Sequence, residues 1–348
     1  MKKTEQFTIQ KVFQVLTFSC SLSIKKNSQL SSLYSRIIHA ELAYKVGIGQ
    51  AFLKKIALFI KKSCYAKRLR SPPVILQSQL RNKTKTVMEV KNINNRIVKI
   101  WTDNVETSAM QQIENLTTLP FLFHHLAIMP DVHAGKGMPI GGVLACTDAV
   151  IPNAVGVDIG CGMCAVKTNW KVSDIPSDIL KNEIMNGIRQ RIPLGMSHHE
   201  EAQDAKYMPQ GYDIDKMAVV KTRQHSALHE IGTLGGGNHF IELQKDEEDN
   251  LWIMIHSGSR NLGARVGAYY NNMAEKLNAK WHSAVSPDIN LAFLPRGTKE
   301  FGMYWEEMKY CVDFALCNRR LMMMRIEEVL ADSLKGIEFE PMINIAHN

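Results

Sequence analysis

Long apolar runs are missing from this chain, and cysteine is scarce. No run of about 18 or more residues is both apolar and free of charge, so the sequence predicts no membrane-spanning helix. The seven cysteines are scattered and odd in number, which excludes a dense disulfide framework and favours a reducing compartment. We therefore expect a cytoplasmic protein. The 348 residues are 45% hydrophobic, enough for a sizeable core in one large domain or two smaller ones.

Acidic residues are nearly absent from the first 87 positions. This segment holds 17 Lys/Arg against Glu5 and Glu41, a charge of +15, which leaves −7 of the total +8 for residues 88–348. We interpret residues 1–87 as a basic, poorly ordered N-terminal extension. Organelle targeting or contact with a membrane surface is the alternative, because residues 52–73 alternate apolar and basic side chains. An acidic body does not favour nucleic-acid binding through global charge, so such binding would need a local cleft and bound metal.

Residues 88–348 alternate apolar strands, glycine-rich loops and helices. Strands are predicted at 96–102, in the apolar segments beside the glycine-rich stretches of 121–168 and 232–263, and at the last residues. Helices are predicted over 107–118, 175–191, 264–281 and 301–330. The mixture predicts an α+β (mixed α/β) fold.

Side chains that can bind metal recur where apolar strands run into glycine loops. The set comprises Asp131, His133, Asp158, Cys161, Asn238, His239, His256 and His347. Strand ends on a rigid sheet can hold ligands accurately and still leave them reachable. Asp, Cys and several His together suit manganese, zinc, iron or cobalt, whereas calcium and magnesium prefer shells of oxygen. Because a thiolate can bridge, one Asp, one Cys and three His suffice for two ions about 3.5–4 Å apart.

Each of these residues also has an ordinary structural interpretation. Cys161 and Cys164 form a Cys-x-x-Cys pair, which can be redox-active or bind zinc. Taken singly, Asp158 is typical of a turn cap, Cys161 of a small buried apolar residue and His256 of a hydrogen-bonded strand end. Their joint occurrence favours the metal site, with Asp158 and Cys161 as the working pair and Cys164 as a packing thiol.

Five blocks in order resemble the signatures of the RtcB family of RNA-splicing ligases. They are MPDVHAGKGMPIGG, VGVDIGCGM, GTLGGGNHFIE, HSGSRNLG and the closing AHN, and the resemblance covers residues 88–348. It implies an RtcB-like catalytic fold and the joining of RNA 2′,3′-cyclic phosphate or 3′-phosphate ends to 5′-hydroxyl ends, as in tRNA splicing and RNA repair. It also implies GTP, two Mn²⁺ ions and possible accessory proteins.

The resemblance further implies roles for individual residues. Asp158 and His239 would hold one manganese ion, His256 and His347 the second, and Cys161 would bridge the two. The guanylate site would be lined by Asn238, His239, Phe240, Ile241, Glu242, His347 and Asn348. Asp131 and His133 would orient ligands from outside the coordination shell.

The chain departs from the family at the residue that accepts GMP. In the family this histidine lies further toward the C-terminus than the last block, and no residue here matches it. We therefore expect a chain shortened at its C-terminus. A metal-dependent cyclic phosphodiesterase and a non-catalytic metal- and RNA-binding remnant are the alternatives.

Overall fold

The computed structural model describes residues 88–348, so the predictions for residues 1–87 lie outside the described residues. Its first sheet has the order β1-β2-β3-β4. The strands are β1 (Glu89–Ile93), β2 (Arg96–Ile100), β3 (Leu122–His133) and β4 (Ile140–Cys146). Asn94 and Asn95 join β1 to β2 with φ of 50° and 60°, the backbone of a two-residue hairpin turn. The first helix, α1 (Thr107–Thr117), buries Ala109, Ile113 and Leu116 in a core shared with this sheet.

The second sheet is antiparallel throughout and has the order β10-β6-β8-β7. Its strands are β6 (Gly162–Lys171), β7 (Phe240–Lys245), β8 (Asn250–Ser257) and β10 (Ile343–Ala346). A further pair, β5 (Ala149–Val150) and β9 (Leu294–Pro295), lies apart from both sheets. β7 and β8 are neighbours in the sequence and in the sheet, whereas β6 lies between β8 and the last strand, β10.

Helices pack against the second sheet and against one another. They are α2 (Pro152–Val155), α3 (Met185–Arg191), α4 (Val220–Glu230), α5 (Arg260–Lys280) and α6 (Lys299–Ser333). The C-terminal half of α6 buries Met322, Ile326 and Leu330 against Ile253 and Ile255 of β8. Burying each such side chain contributes about 1.5–3 kcal/mol, so this contact fixes the position of α6 relative to the sheet.

The mixed α/β prediction is confirmed, and the longer helices lie within a few residues of their predicted bounds. The helix predicted over 175–191 is helical from residue 177 onward, but its first half is wound mainly as a π-helix and not as an α-helix. A π-helical segment, Ile179–Ile184, directly precedes α3. A π turn does not follow the 3.6-residue period on which the prediction depended. Among the described residues, no helix is long and apolar enough to cross a membrane.

Candidate metal centre

The Asp158–Cys161 turn is built between α2 and β6. Gly160 has φ of 78°, a conformation that favours glycine, and Cys161 N donates to Asp158 O over 2.9 Å. The last two residues hold this turn from outside. Asn348 Oδ1 accepts from Gly160 N at 2.9 Å, Asn348 Nδ2 donates to Asp158 O at 2.6 Å, and His347 N donates to Cys161 O at 2.9 Å. The turn and the end of β10 therefore form one unit.

Two histidines reach this turn from the neighbouring strands. His239 precedes β7 and His256 lies near the end of β8. Their Nδ1 atoms lie 3.0 Å from the carbonyl oxygens of Leu234 and Asn238, respectively. A carbonyl oxygen only accepts hydrogen bonds, so each ring donates from Nδ1 and turns Nε2 toward Cys161. This is the outer support that metal-binding histidines usually have.

The ligand atoms form two groups that share Cys161. Asp158, Cys161 and His239 make up one group, and Cys161, His256 and His347 the other, with all ligand atoms of a group within 4.8 Å of one another. Cys161 Sγ lies 3.2 Å from His256 Nε2 and 3.7 Å from His239 Nε2. His239 Nε2 lies 2.9 Å from Asp158 Oδ2, and His256 Nε2 lies 3.3 Å from His347 Nε2. Of the eight metal-capable side chains predicted at strand ends, the structure thus brings together the five that the RtcB resemblance implies as ligands.

The donor set fits divalent cations. In neutral rings these Nε2 atoms carry lone pairs, and they face a carboxylate, a sulfur and another imidazole. Burial lowers the pKa of His347 to about 4, with further lowering by His256, and burial also lowers the pKa of His256. Both rings are therefore neutral at neutral pH, the form that binds metal. Acceptors that converge in this way are satisfied by positive charge between them.

The site shifts the pKa of Cys161 and the pKa of Asp158 in opposite directions. Burial raises the pKa of the Cys161 thiol, and the Asp158 charge raises it further, so a thiolate there needs a nearby cation. Burial also acts to raise the pKa of Asp158, but contacts with His239 and the Cys161 thiol outweigh it and hold that pKa below its usual value. The carboxylate is ionised, and the thiol becomes a ligand only by losing its proton.

Cys164 lies away from the cluster. It is 1% exposed, and it packs with Val166, Ile253 and Ile255 between the second sheet and α6. Neither group of ligand atoms includes it. Cys161 directly precedes β6, whereas Cys164 lies within this strand and packs in the core, so the arrangement favours Cys161 alone as the ligand.

A sequence model of the RtcB family, described as tRNA-splicing ligase RtcB, matches residues 112–348. The match includes every residue of the Cys161 cluster. The chain belongs to the RtcB family.

Named relatives support the same assignment. The RNA-splicing ligase RtcB of Escherichia coli K12 is 35% identical over 282 residues, which cover 75% of this chain and 68% of the relative. The tRNA-splicing ligase RtcB of Nanoarchaeum equitans is 30% identical over 294 residues, 70% of this chain and 60% of the relative. The tRNA-splicing ligase RtcB of Thermococcus kodakarensis is 29% identical over 289 residues, 69% of this chain and 59% of the relative.

The other residues predicted from the RtcB blocks differ in their exposure to solvent and in their contacts with the cluster. Asn238 is exposed, and its carbonyl accepts from His256. Phe240 pairs with His256 across β7 and β8, with ring centroids 5.5 Å apart. Ile241 packs into the core, and Glu242 is exposed on β7. Their role in guanylate binding stays a prediction.

Asp131 and His133 lie at the end of β3, in the first sheet. His133 is exposed, and its Nδ1 lies 2.8 Å from the Asp131 carbonyl oxygen. Neither belongs to the two groups of converging ligand atoms, and their predicted orienting role stays a prediction.

Sequence reasoning missed the buried polar residues of α6 that support the cluster. Asn318 is fully buried, and its Oδ1 accepts from Gly232 N and Thr233 N, while its Nδ2 donates to Gly258 O. Arg319 is also fully buried and donates to Gly160 O and Ser257 O. The available signal was a polar pair on an otherwise apolar helix stripe, because buried polar residues need partners of their own.

Proposed function

We propose that the protein is an RNA ligase that uses GTP and two manganese ions. It joins an RNA end that carries a 2′,3′-cyclic phosphate or 3′-phosphate to an end that carries a 5′-hydroxyl. The observation that carries the proposal is the Cys161-centred pair of ligand groups within residues that match the RtcB family. The names of the relatives, RNA-splicing and tRNA-splicing ligases, support the reaction class.

The five ligands divide between two ions. Asp158 and His239 would hold one, His256 and His347 the other, and Cys161 would contact both. Bound manganese supplies positive charge that neutralises phosphate oxygens and favours attack on phosphorus. The protein contributes orientation, because the carbonyls of Leu234 and Asn238 fix both rings through Nδ1.

The sealing step suits this arrangement. The 5′-hydroxyl oxygen forms a bond to the phosphorus of a guanylate-activated RNA 3′-phosphate, the bond to GMP breaks, and the hydroxyl proton passes to solvent. We place the guanylate beside Asn238–Glu242 and His347–Asn348, because these segments border the ligand cluster. The proposal assigns the histidine that accepts GMP to no residue of 1–348.

The experiment separates sealing from enzyme guanylylation. RNA that already carries a 3′-guanylate is mixed with a 5′-hydroxyl RNA, Mn²⁺ and the whole protein. We expect a joined strand and one GMP released per joint, measured by gel and chromatography. Asp158→Asn should reduce joining by at least about 10-fold, since it weakens a ligand. The exposed control Asp215→Asn should join at the unaltered rate. No joining by the unaltered protein would refute the proposal.

We also propose that residues 88–348 act as the catalytic domain, preceded by the basic extension 1–87. The cluster and the whole match of the RtcB sequence model lie within the former range.

A cytoplasmic location is supported by five cysteines that are free among the described residues. The proposed substrate is RNA with broken or spliced ends. Accessory proteins would act together with this enzyme.

A further inference from the structure

Arg319 joins three backbone segments that carry candidate ligands. Its Nη1 donates to Gly160 O at 2.9 Å and to Ser257 O at 2.7 Å, and its Nε donates to Asn344 Oδ1 at 2.8 Å. Gly160 directly precedes Cys161, Ser257 directly follows His256, and Asn344 lies on β10, three residues before His347. One side chain thus connects the segments that present three of the five ligands.

The connection is rigid at both ends. Arg319 belongs to α6, whose apolar face packs against the second sheet, and Asn344 Nδ2 donates to Leu316 O on the same helix at 2.9 Å. Planar guanidinium groups hold several acceptors in a fixed fork, which a lysine ammonium cannot reproduce. The spacing of the three segments therefore depends on the arginine itself.

The charge of Arg319 lacks an ordinary ion-pair partner. It is 0% exposed, its three acceptors are two carbonyls and an amide, and no salt bridge among the described residues includes it. Its Nη2 is buried and has no hydrogen-bond partner among residues 88–348. Burying an uncompensated guanidinium is costly. Five titratable groups interact with it electrostatically, and four of them are candidate ligands: Asp158, Cys161, His256 and His347, with Cys164 as the fifth.

We propose that Arg319 is a positioning residue of the metal centre, which fixes the spacing of the Cys161, His256 and His347 segments and compensates the negative charge of the ligand set. This inference rests on the proposed function, because it requires that the cluster binds manganese. Arg319 itself reaches the site only through Gly160, Ser257 and Asn344.

The test measures metal affinity directly. Arg319→Lys keeps the charge and loses the fork, and Arg319→Met keeps the length and loses both. The matched control, Arg325→Lys, alters another arginine of α6 that bonds to His199, Gln203 and Gly232. Mn²⁺ affinity is measured by calorimetry, and the sulfur-to-cobalt charge-transfer band reports Cys161 ligation in the Co²⁺ form. Circular dichroism of the metal-free proteins checks the fold.

We expect Arg319→Lys and Arg319→Met to weaken Mn²⁺ binding by about 10–100-fold, the range for loss of an outer-shell partner. Both should also diminish the cobalt–thiolate band, whereas Arg325→Lys should leave both readings unchanged. Because an Arg319 variant can fail to fold, Asn344→Ala removes one anchor and leaves the arginine in place. It should weaken Mn²⁺ binding in the same direction.

Three results separate the two proposals. Folded Arg319 variants that bind Mn²⁺ as tightly as the unaltered protein would overturn the positioning role, as would lower thermal stability with unchanged affinity. An unaltered protein that binds Mn²⁺ but seals no guanylate-activated RNA would overturn the proposed function alone. An unaltered protein that binds no Mn²⁺ would overturn both.

Discussion

Gly258 leaves no space for a side chain beside Asp158. A Cβ built at position 258 would collide with both carboxylate oxygens of Asp158. We expect Gly258→Ala to displace this carboxylate and to weaken Mn²⁺ binding by about 10-fold or more, since loss of ligand geometry acts like loss of outer-shell support. Calorimetric titration with Mn²⁺ measures the change.

The control for Gly258→Ala is a glycine with open space. Gly302 lies in the first turn of α6, and a Cβ there meets no atom within 4 Å. Gly302→Ala should leave metal affinity unchanged and stabilise the fold by about 0.5–1 kcal/mol through helix propensity. Equal Mn²⁺ affinities for the two variants would contradict the steric explanation.

The candidate ligands could be predicted at the residue level because they lie at strand ends inside short motifs. Asp158, Cys161, His239, His256 and His347 each follow or precede an apolar run, and the structure brings them together. Asn318, Arg319 and Gly258 could not be predicted in the same way. Their importance depends on contacts with chain positions such as 160, 232 and 344, and local sequence does not encode these contacts.

At the scale of elements, His199 connects α6 to the segment that follows α3. His199 Nε2 accepts from Arg325 Nη1 at 2.7 Å, and His229 Nδ1 lies 2.9 Å from His199 O. Burial, with Arg325 and His229 nearby, holds the pKa of His199 below its ordinary value near 6.5. The unfolded chain therefore binds a proton below pH 6.5 that the folded protein does not bind until its own lower pKa is reached.

The expected result is a loss of stability as pH falls below about 6.5, by at most about 1.4 kcal/mol per pH unit from this one proton. Urea unfolding at pH 7 and pH 5.5 measures it. His199→Gln should flatten this dependence, whereas the exposed neighbour His198→Gln should not. Parallel pH profiles for His199→Gln and the unaltered protein would contradict this explanation, because they would show that His199 binds its proton equally in the folded and unfolded states.

Among the elements, those with a clear period were predictable and those set by packing were not. Residues 299–333 show apolar side chains at helical spacing, and the predicted helix over 301–330 differs from α6 by two or three residues at each end. Ile179–Ile184 carry similar side chains but adopt a π turn beside α6. The register of β10 against β6 also depends on a distant strand, with Ala346 opposite Gly162. A Cβ at Gly162 would collide with the Ile345 carbonyl, so this close pairing requires glycine.

At the scale of the whole molecule, the candidate ligands span most of the described chain. Asp158 and His347 are separated by 189 positions, and between them lie all of β6, β7, β8 and β10. A bound ion therefore links segments that separate on unfolding, and metal that binds only the folded state stabilises it by mass action. At a free Mn²⁺ concentration 100 times its Kd, the gain is about 2.7 kcal/mol.

This gain should raise Tm by about 5–10 °C for a domain of this size, measured by differential scanning calorimetry with and without Mn²⁺. Asp158→Asn, with affinity lowered about 100-fold, should retain a rise of only about 1–2 °C at the same Mn²⁺ concentration. Chelation should return the unaltered protein to its metal-free Tm.

Mg²⁺ should shift Tm far less than Mn²⁺, because one thiolate and three imidazoles suit a softer ion. Equal shifts with the two ions would place the stabilising cation at a carboxylate site elsewhere and not at Cys161.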